Sequence, residues 1–171
     1  MKIYTKGTAL AAAAVFALAT AAPAIADHDT VGVEYDAASN VVYIDCETFG
    51  GLEYTLDKLV FFASDDKGQY RGTGTGQDRL GLEDKLTNAH DKLHEDPPKP
   101  CDAAQKLNDF SFKVQSLLDG NTADKTKISD DQGGESIRCL IEGSAALAQS
   151  LSSGESCGDA GSPPRGKGPK K

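Results

Sequence analysis

His90 and His94 stand four residues apart in "NAHDKLHEDPPKPC", residues 88 to 101. On a helix this spacing turns two imidazoles to one side, where a pair of histidines can share a metal ion. Zinc needs three or four ligands, so neighbours must complete the shell. With Leu82 at the origin of a helical wheel, the apolar stripe centres near 20°, and His90 and His94 fall at about 80° and about 120°. Asp91 and Glu95 point to the solvent face, away from the pair. No H-E-x-x-H occurs, so the general base of that metalloprotease pattern is missing. The expectation is two flanking histidines near a helix C-terminus, where positive charge complements the macrodipole. Metal binding at His90 and His94 is the second reading. His28 would become the second residue of a processed chain, and it reads as part of an exposed terminus.

Other constellations are incomplete. "GESCGDAGSP", residues 154 to 163, is similar to the stretch around a serine-protease nucleophile, but Ala160 occupies the nucleophile position. "GTGTG" at residues 72 to 76 lacks the strand-then-helix frame of a phosphate loop. Asp119, Asn121 and Asp130 fit positions 1, 3 and 12 of a calcium loop, whereas Ala123 and Asp124 break positions 5 and 6. No carboxylate pair is set apart in an apolar setting, as a glycosidase needs. The chain therefore reads as non-enzymatic, without a cofactor, acting by contact with a protein or cell-surface partner. The alternatives are a small secreted metal-binding protein and a compact hydrolase whose site forms only on folding.

Cysteine chemistry points the same way. Cys46, Cys101, Cys139 and Cys157 are an even set with wide spacings and no C-x-x-C. Two structural disulfides are expected, and with them an oxidising compartment. The N-terminus agrees. Lys2 and Lys6 precede the apolar "TALAAAAVFALATAAPA", and Ala24-Ile25-Ala26 offers small residues for cleavage before Asp27. Residues 1–26 thus read as a signal peptide, and the mature protein as secreted or periplasmic, with no later membrane span. Without Lys2 and Lys6, 16 basic residues face 26 acidic ones, a net charge of −10. Four of those positive charges sit in "AGSPPRGKGPKK", so the body before this tail carries −14. Such a body repels nucleic acid and anionic surfaces. Residues 153–171 read as a disordered basic tail.

The elements that must carry these residues are legible from periodicity. Residues 27–50 alternate as a β-hairpin, with "TVGVEY" and "NVVYIDC" around the turn "DAASN". From Leu52 the period becomes helical. Leu52, Leu56, Leu59, Val60 and Ala63 share a face that ends at "SDDKG". Leu82, Leu86, Ala89 and Leu93 make a second helix, stopped by "EDPPKP". Ala104, Leu107, Phe110, Val114 and Leu118 make a third. Ser129-Asp130-Asp131-Gln132 has the form of a capping box before a fourth, which carries Ile137, Leu140, Ile141, Ser144, Leu147, Ala148 and Leu151. The expected fold is mainly α: a small, disulfide-stapled four-helix bundle over residues 52–152 with an N-terminal β-hairpin.

The stretches "LEYTLDKLVFFASDDKGQYRGTGTGQDRLGLEDKLTNAHDKL", "CDAAQKLNDFSFKVQSL" and "KISDDQGGESIRCLIEGSAALAQSL" together resemble the FIMAH-type helical domain of secreted and cell-surface bacterial proteins. The resemblance covers residues 52–151. It rests on the Gly68-Gln69-Tyr70 turn, on Lys85-Leu86 and Ala89, on Leu107-Asn108-Asp109-Phe110 with Val114, and on Lys127-Ile128-Ser129. It implies an extracellular accessory module and brings no catalytic residues. The four cysteines and the missing large partner domain depart from that family's pattern.

Helical phase also bears on the disulfides. Cys139 sits about 140° from the apolar centre near Ser144, so it faces off the bundle core towards the hairpin. If the last two helices run antiparallel, Cys157 returns beside Cys101. The expected pairs are then Cys46–Cys139 and Cys101–Cys157, whereas parallel helices would favour Cys101–Cys139.

Overall fold

The computed structural model describes residues 2–5, 32–64, 68–71, 77–153 and 157. The expectations for most of the leader, for His28, for "GTGTG" and for the basic tail after Cys157 lie outside these residues. Two short strands open the body, β2 (Val33–Asp36) and β3 (Val41–Ile44), paired antiparallel with Val33 opposite Ile44 and Asp36 opposite Val41. Their turn closes because the Asp36 carboxylate accepts from the Ala38 amide at 2.9 Å and from the Ser39 hydroxyl. Asn40 takes the left-handed backbone that asparagine tolerates, at φ 54°. Tyr35 donates its hydroxyl to the Asn40 side chain at 3.0 Å across the turn. The other edge of β3 pairs in parallel with β1 (Lys2–Thr5), Lys2 opposite Val41.

A helical stretch follows, α1 (Phe49–Tyr54), which continues into a wide π-turn at Thr55–Leu59. Thr48 caps it by accepting the Gly51 amide at 3.1 Å. The expected helix through Ala63 ends earlier than its periodicity suggests. Val60–Ser64 is strand β4 instead, paired antiparallel with β5 (Gly68–Arg71) on one edge and β6 (Ile128–Asp130) on the other. The physical reason is composition: Val60, Phe61 and Phe62 are β-branched and aromatic, and a pleated surface suits them better than a helix. Gly68-Gln69-Tyr70, expected as a turn, lies within β5.

Helix α2 (Gln77–His94) and helix α3 (Pro100–Asp119) form an antiparallel pair joined by the proline turn. The Leu82, Leu86, Ala89 and Leu93 stripe is buried, as are Ala104, Leu107, Phe110 and Val114. Leu118 is exposed, and Leu117 fills the core position in its place. Both positions fall within the width of the apolar stripe, and packing at the last turn of α3 takes Leu117. The last helical segment runs as α4 (Glu135–Arg138), a π-turn (Cys139–Gly143) and α5 (Ser144–Ser153). It lies antiparallel on α3, with the Ser111 hydroxyl donating to the Ile141 carbonyl at 3.0 Å.

The start of this segment also differs from its sequence reading. Ser129 lies in β6 and does not cap. Asp130 does so instead, its carboxylate accepting from the amides of Gln132, Gly134 and Ile137 at 3.1, 2.7 and 2.9 Å. Gly133 and Gly134 take positive φ, at 65° and 93°, which lets the chain wrap round that carboxylate.

One apolar cluster joins α1, α2, α3, α5, β4 and β6, with Phe49, Leu52, Phe110, Ile128 and Leu140 wholly or almost wholly buried. A second, smaller cluster of Val42, Ile44, Leu59 and Cys139 fastens the hairpin to the helices. Two disulfides bind this architecture, Cys46–Cys139 and Cys101–Cys157, each with Cα atoms 5.4 Å apart. Among the described residues the molecule is mainly helical, and no helix is long and apolar enough to cross a membrane.

Candidate functional site

The N-terminal half of α2 passes alongside α1 and its π-turn, and a half-open cleft of about 570 Å³ lies between them. Leu56 and Leu86, both almost wholly buried, form an apolar floor, with Val33 of the hairpin at one side. Tyr54 is half-buried and forms a wall; its other side packs on the Val42–Ile44 cluster. Chain economy explains the opening. Gly50 contributes no side chain to fill the space, and Thr87 on α2 is short.

Acidic groups dominate the rim. Glu53 of α1, Asp57 of the π-turn and Glu83 of α2 line it together with Lys58. Arg79 holds the two walls together. Its guanidinium nitrogen Nη2 donates to the Asp57 carboxylate at 2.9 Å and to Glu83 at 2.5 Å, with the side chain 14% exposed. Such charge-assisted bonds are shorter and stronger than neutral ones, and partial burial spares this pair from most solvent screening. Lys58 also contacts the Asp57 carboxylate, on the solvent side. The cleft therefore has walls joined by Arg79 and a carboxylate-lined mouth over an apolar floor.

The histidines lie a turn or two further along α2. The His90 ring sits edge-on to Phe49, centroids 5.4 Å apart, and the His94 ring lies 4.5 Å from that of His90. The two imidazoles are thus neighbours, and Phe49 shows that His90 faces α1 rather than open solvent. Among the described residues no group of three or more histidine, cysteine, aspartate or glutamate side chains converges as a metal shell. Glu95 turns instead to Lys92 and Lys99, which hold its carboxyl below the ordinary value of 4.5 and raise Lys99 in return.

The calcium-loop residues are used internally. The Asn121 side chain accepts from the Lys127 and Ile128 amides at 2.6 and 3.2 Å and donates to the Ile128 carbonyl at 2.7 Å. Asp119 accepts from Gln115, and Asp130 is the helix cap described above.

The disulfides position rather than react. Cys139 is buried, and the Thr55 hydroxyl lies 3.5 Å from its sulfur while donating to the Gly51 carbonyl at 2.8 Å. Two glycines allow the close approach. A side-chain carbon at Gly143 would stand 2.1 Å from the Cys46 carbonyl oxygen, and one at Gly51 would stand 1.8 Å from that of Asp45.

Sequence reasoning did not find the cleft. Arg79 and Glu83 have the four-residue spacing of a helical ion pair, which was a usable signal. Asp57 joins them across 22 positions, and nothing local marks that contact. No family model, no curated protein and no solved structure matches this chain.

Proposed function

We propose that the protein is an exported, non-catalytic binding module, a disulfide-stapled bundle of four helical segments that works by contact with a protein or cell-surface partner. The observation that carries this reading is the preformed cleft between α1 and α2, its walls joined by Arg79 and its floor apolar. A site built for binding is concave, largely preformed and mostly apolar, with a few placed polar groups. Export is supported by the leader-like N-terminus and by the two disulfides, which persist in oxidising compartments. The FIMAH-type accessory role belongs to the same proposal. Of the residues that carry that resemblance, Leu86, Ala89, Leu107, Phe110, Val114 and Ile128 lie in the core, and these speak to fold rather than to a contact surface.

The test is a comparison of the purified, oxidised protein in two assays: turnover of a broad panel of ester, peptide and glycoside substrates, and saturable binding to the surface of cells that export it. The expected result is saturable binding with no turnover above a heat-denatured control. Turnover abolished by a single point substitution would overturn the reading.

A further inference from the structure

We infer that the cleft receives the side chain of a lysine or arginine carried on an apolar segment of a partner protein. This inference rests on the contact reading above and names the chemistry of that same site. Its size comes first. About 570 Å³ exceeds what a lone ion fills and lies in the range of about 300–1,000 Å³ that takes several side-chain groups.

The floor comes next. Leu56, Leu86 and Val33 offer contact to methylene groups, and removing a lysine or arginine stem from water there is favourable. The mouth then selects the sign of the tip. Glu53, Asp57 and Glu83 line it with three carboxylates; Lys58 at the mouth and Arg79 behind it engage Asp57, and Arg79 also engages Glu83, so Glu53 is the carboxylate that meets an incoming cation. Glu53 sits exposed at the rim beside Tyr54, where an incoming cation would meet a carboxylate and an aromatic ring together. The body's net charge of −14 before the basic tail adds a long-range pull on a cationic partner.

The experiment uses the chain as secreted, both disulfides intact, and follows backbone amides by NMR during titration. The probes are blocked heptapeptides of leucine and alanine with one central lysine, norleucine or glutamate. The lysine peptide should shift the amides of Glu53, Tyr54, Asp57, Glu83 and Thr87, and bind at least tenfold more tightly than the norleucine and glutamate peptides. Glu53→Gln should weaken it at least threefold with unchanged circular dichroism, and raising salt should do the same. Thr87→Trp, which fills the cleft from its exposed edge, should abolish it.

Equal affinity for the three peptides, shifts confined to other surfaces, or no binding at millimolar peptide would overturn the inference. So would a chain ending at Cys157 whose cleft amides shift on loss of residues 158–171, because the occupant would then be this protein's own basic tail. If Thr87→Trp abolishes cell-surface binding while no lysine peptide binds, the contact reading stands and only the ligand class fails.

Discussion

Glycine at 143 and glycine at 81 look alike in sequence and differ completely in their surroundings. A methyl group at Gly143 meets the Cys46 backbone at 2.1 Å, whereas one at Gly81 meets nothing within 4 Å. Gly143→Ala should therefore destabilise by about 1–3 kcal/mol or more through forced displacement of backbone. Gly81→Ala, inside α2, should stabilise by roughly 0.5–1 kcal/mol through helix propensity. Urea unfolding of the two variants measures both, and the signs must differ.

Titration supplies a second residue-scale prediction. Lys92 and Lys99 depress the Glu95 carboxyl, and the Ser39 hydroxyl with the Ala38 amide depresses that of Asp36. A carboxyl whose folded value lies below its unfolded one adds stability above the unfolded value and loses it as pH falls through the folded one. For Glu95 that loss begins below the ordinary value of 4.5, and for Asp36 below 3.8. The difference in urea midpoint between wild type and Glu95→Gln should thus hold steady near neutral pH and close below pH 4.5. A difference independent of pH would contradict the ion-pair account.

The residue scale was only partly legible in sequence. Helical phase placed His90 and His94 on the flank of α2, and they lie there side by side with Phe49 against one of them. The Glu53–Asp57–Glu83 rim was not visible, because its members come from separate elements that only packing brings together.

At the scale of elements, the apolar stripes were readable and their ends were not. The period of α2 and α3 follows directly from leucine and alanine spacing. Val60 and Ile128 show the limit: each continues a helical or loop reading locally, and each is buried in a strand of one small sheet. Pairing across nearly seventy positions leaves no local trace.

The cap of the last helix is a sharper case. Gly133 and Gly134 weaken a helix start in sequence terms, yet their positive φ lets Asp130 reach three amides. Asp130→Ala should cost about 1–3 kcal/mol, the range for losing a cap and leaving amides unsatisfied. Asp130→Asn should retain much of that, since an amide oxygen still accepts.

Strand β3 carries another consequence. Its outer edge pairs with Lys2–Thr5, which lies inside the segment read as a signal peptide. A chain cleaved before Asp27 should exchange amide hydrogens within Val41–Ile44 faster than an uncleaved one, and hydrogen exchange with mass spectrometry measures it. Equal rates would mean that this edge owes nothing to the first strand.

For the whole molecule, the disulfides and the cleft belong to one mechanical argument. Cys46–Cys139 links residues 93 apart and seats the hairpin on the last helix through a buried sulfur. Cys101–Cys157 links residues 56 apart and returns the chain to the start of α3. Each constrains the unfolded chain, and removing either should cost about 2–5 kcal/mol. Replacing Cys46 and Cys139 by serine should be the more damaging change, because it also places hydroxyls in the Val42–Ile44–Leu59 cluster.

That bridge stands behind the cleft as well, since Tyr54 packs on the same cluster and forms its wall. The antiparallel run of α3 and the last helix brings Cys157 to Cys101, a relation that the sequence left conditional on helix direction, with parallel helices favouring Cys101–Cys139 instead. What the stripes did not imply is a cleft at the flank of α2 beside Leu86, because periodicity reports the face that packs and is silent about gaps where packing stops.

Contact through this cleft is the proposed way in which the protein works. Saturation-binding isotherms on cells that produce the protein, run in parallel with wild type and Thr87→Trp, decide the question. Matched circular dichroism and intact disulfides establish that both are folded. Wild-type binding should saturate and should fall at least tenfold in Thr87→Trp. Equal isotherms for the two proteins would contradict it.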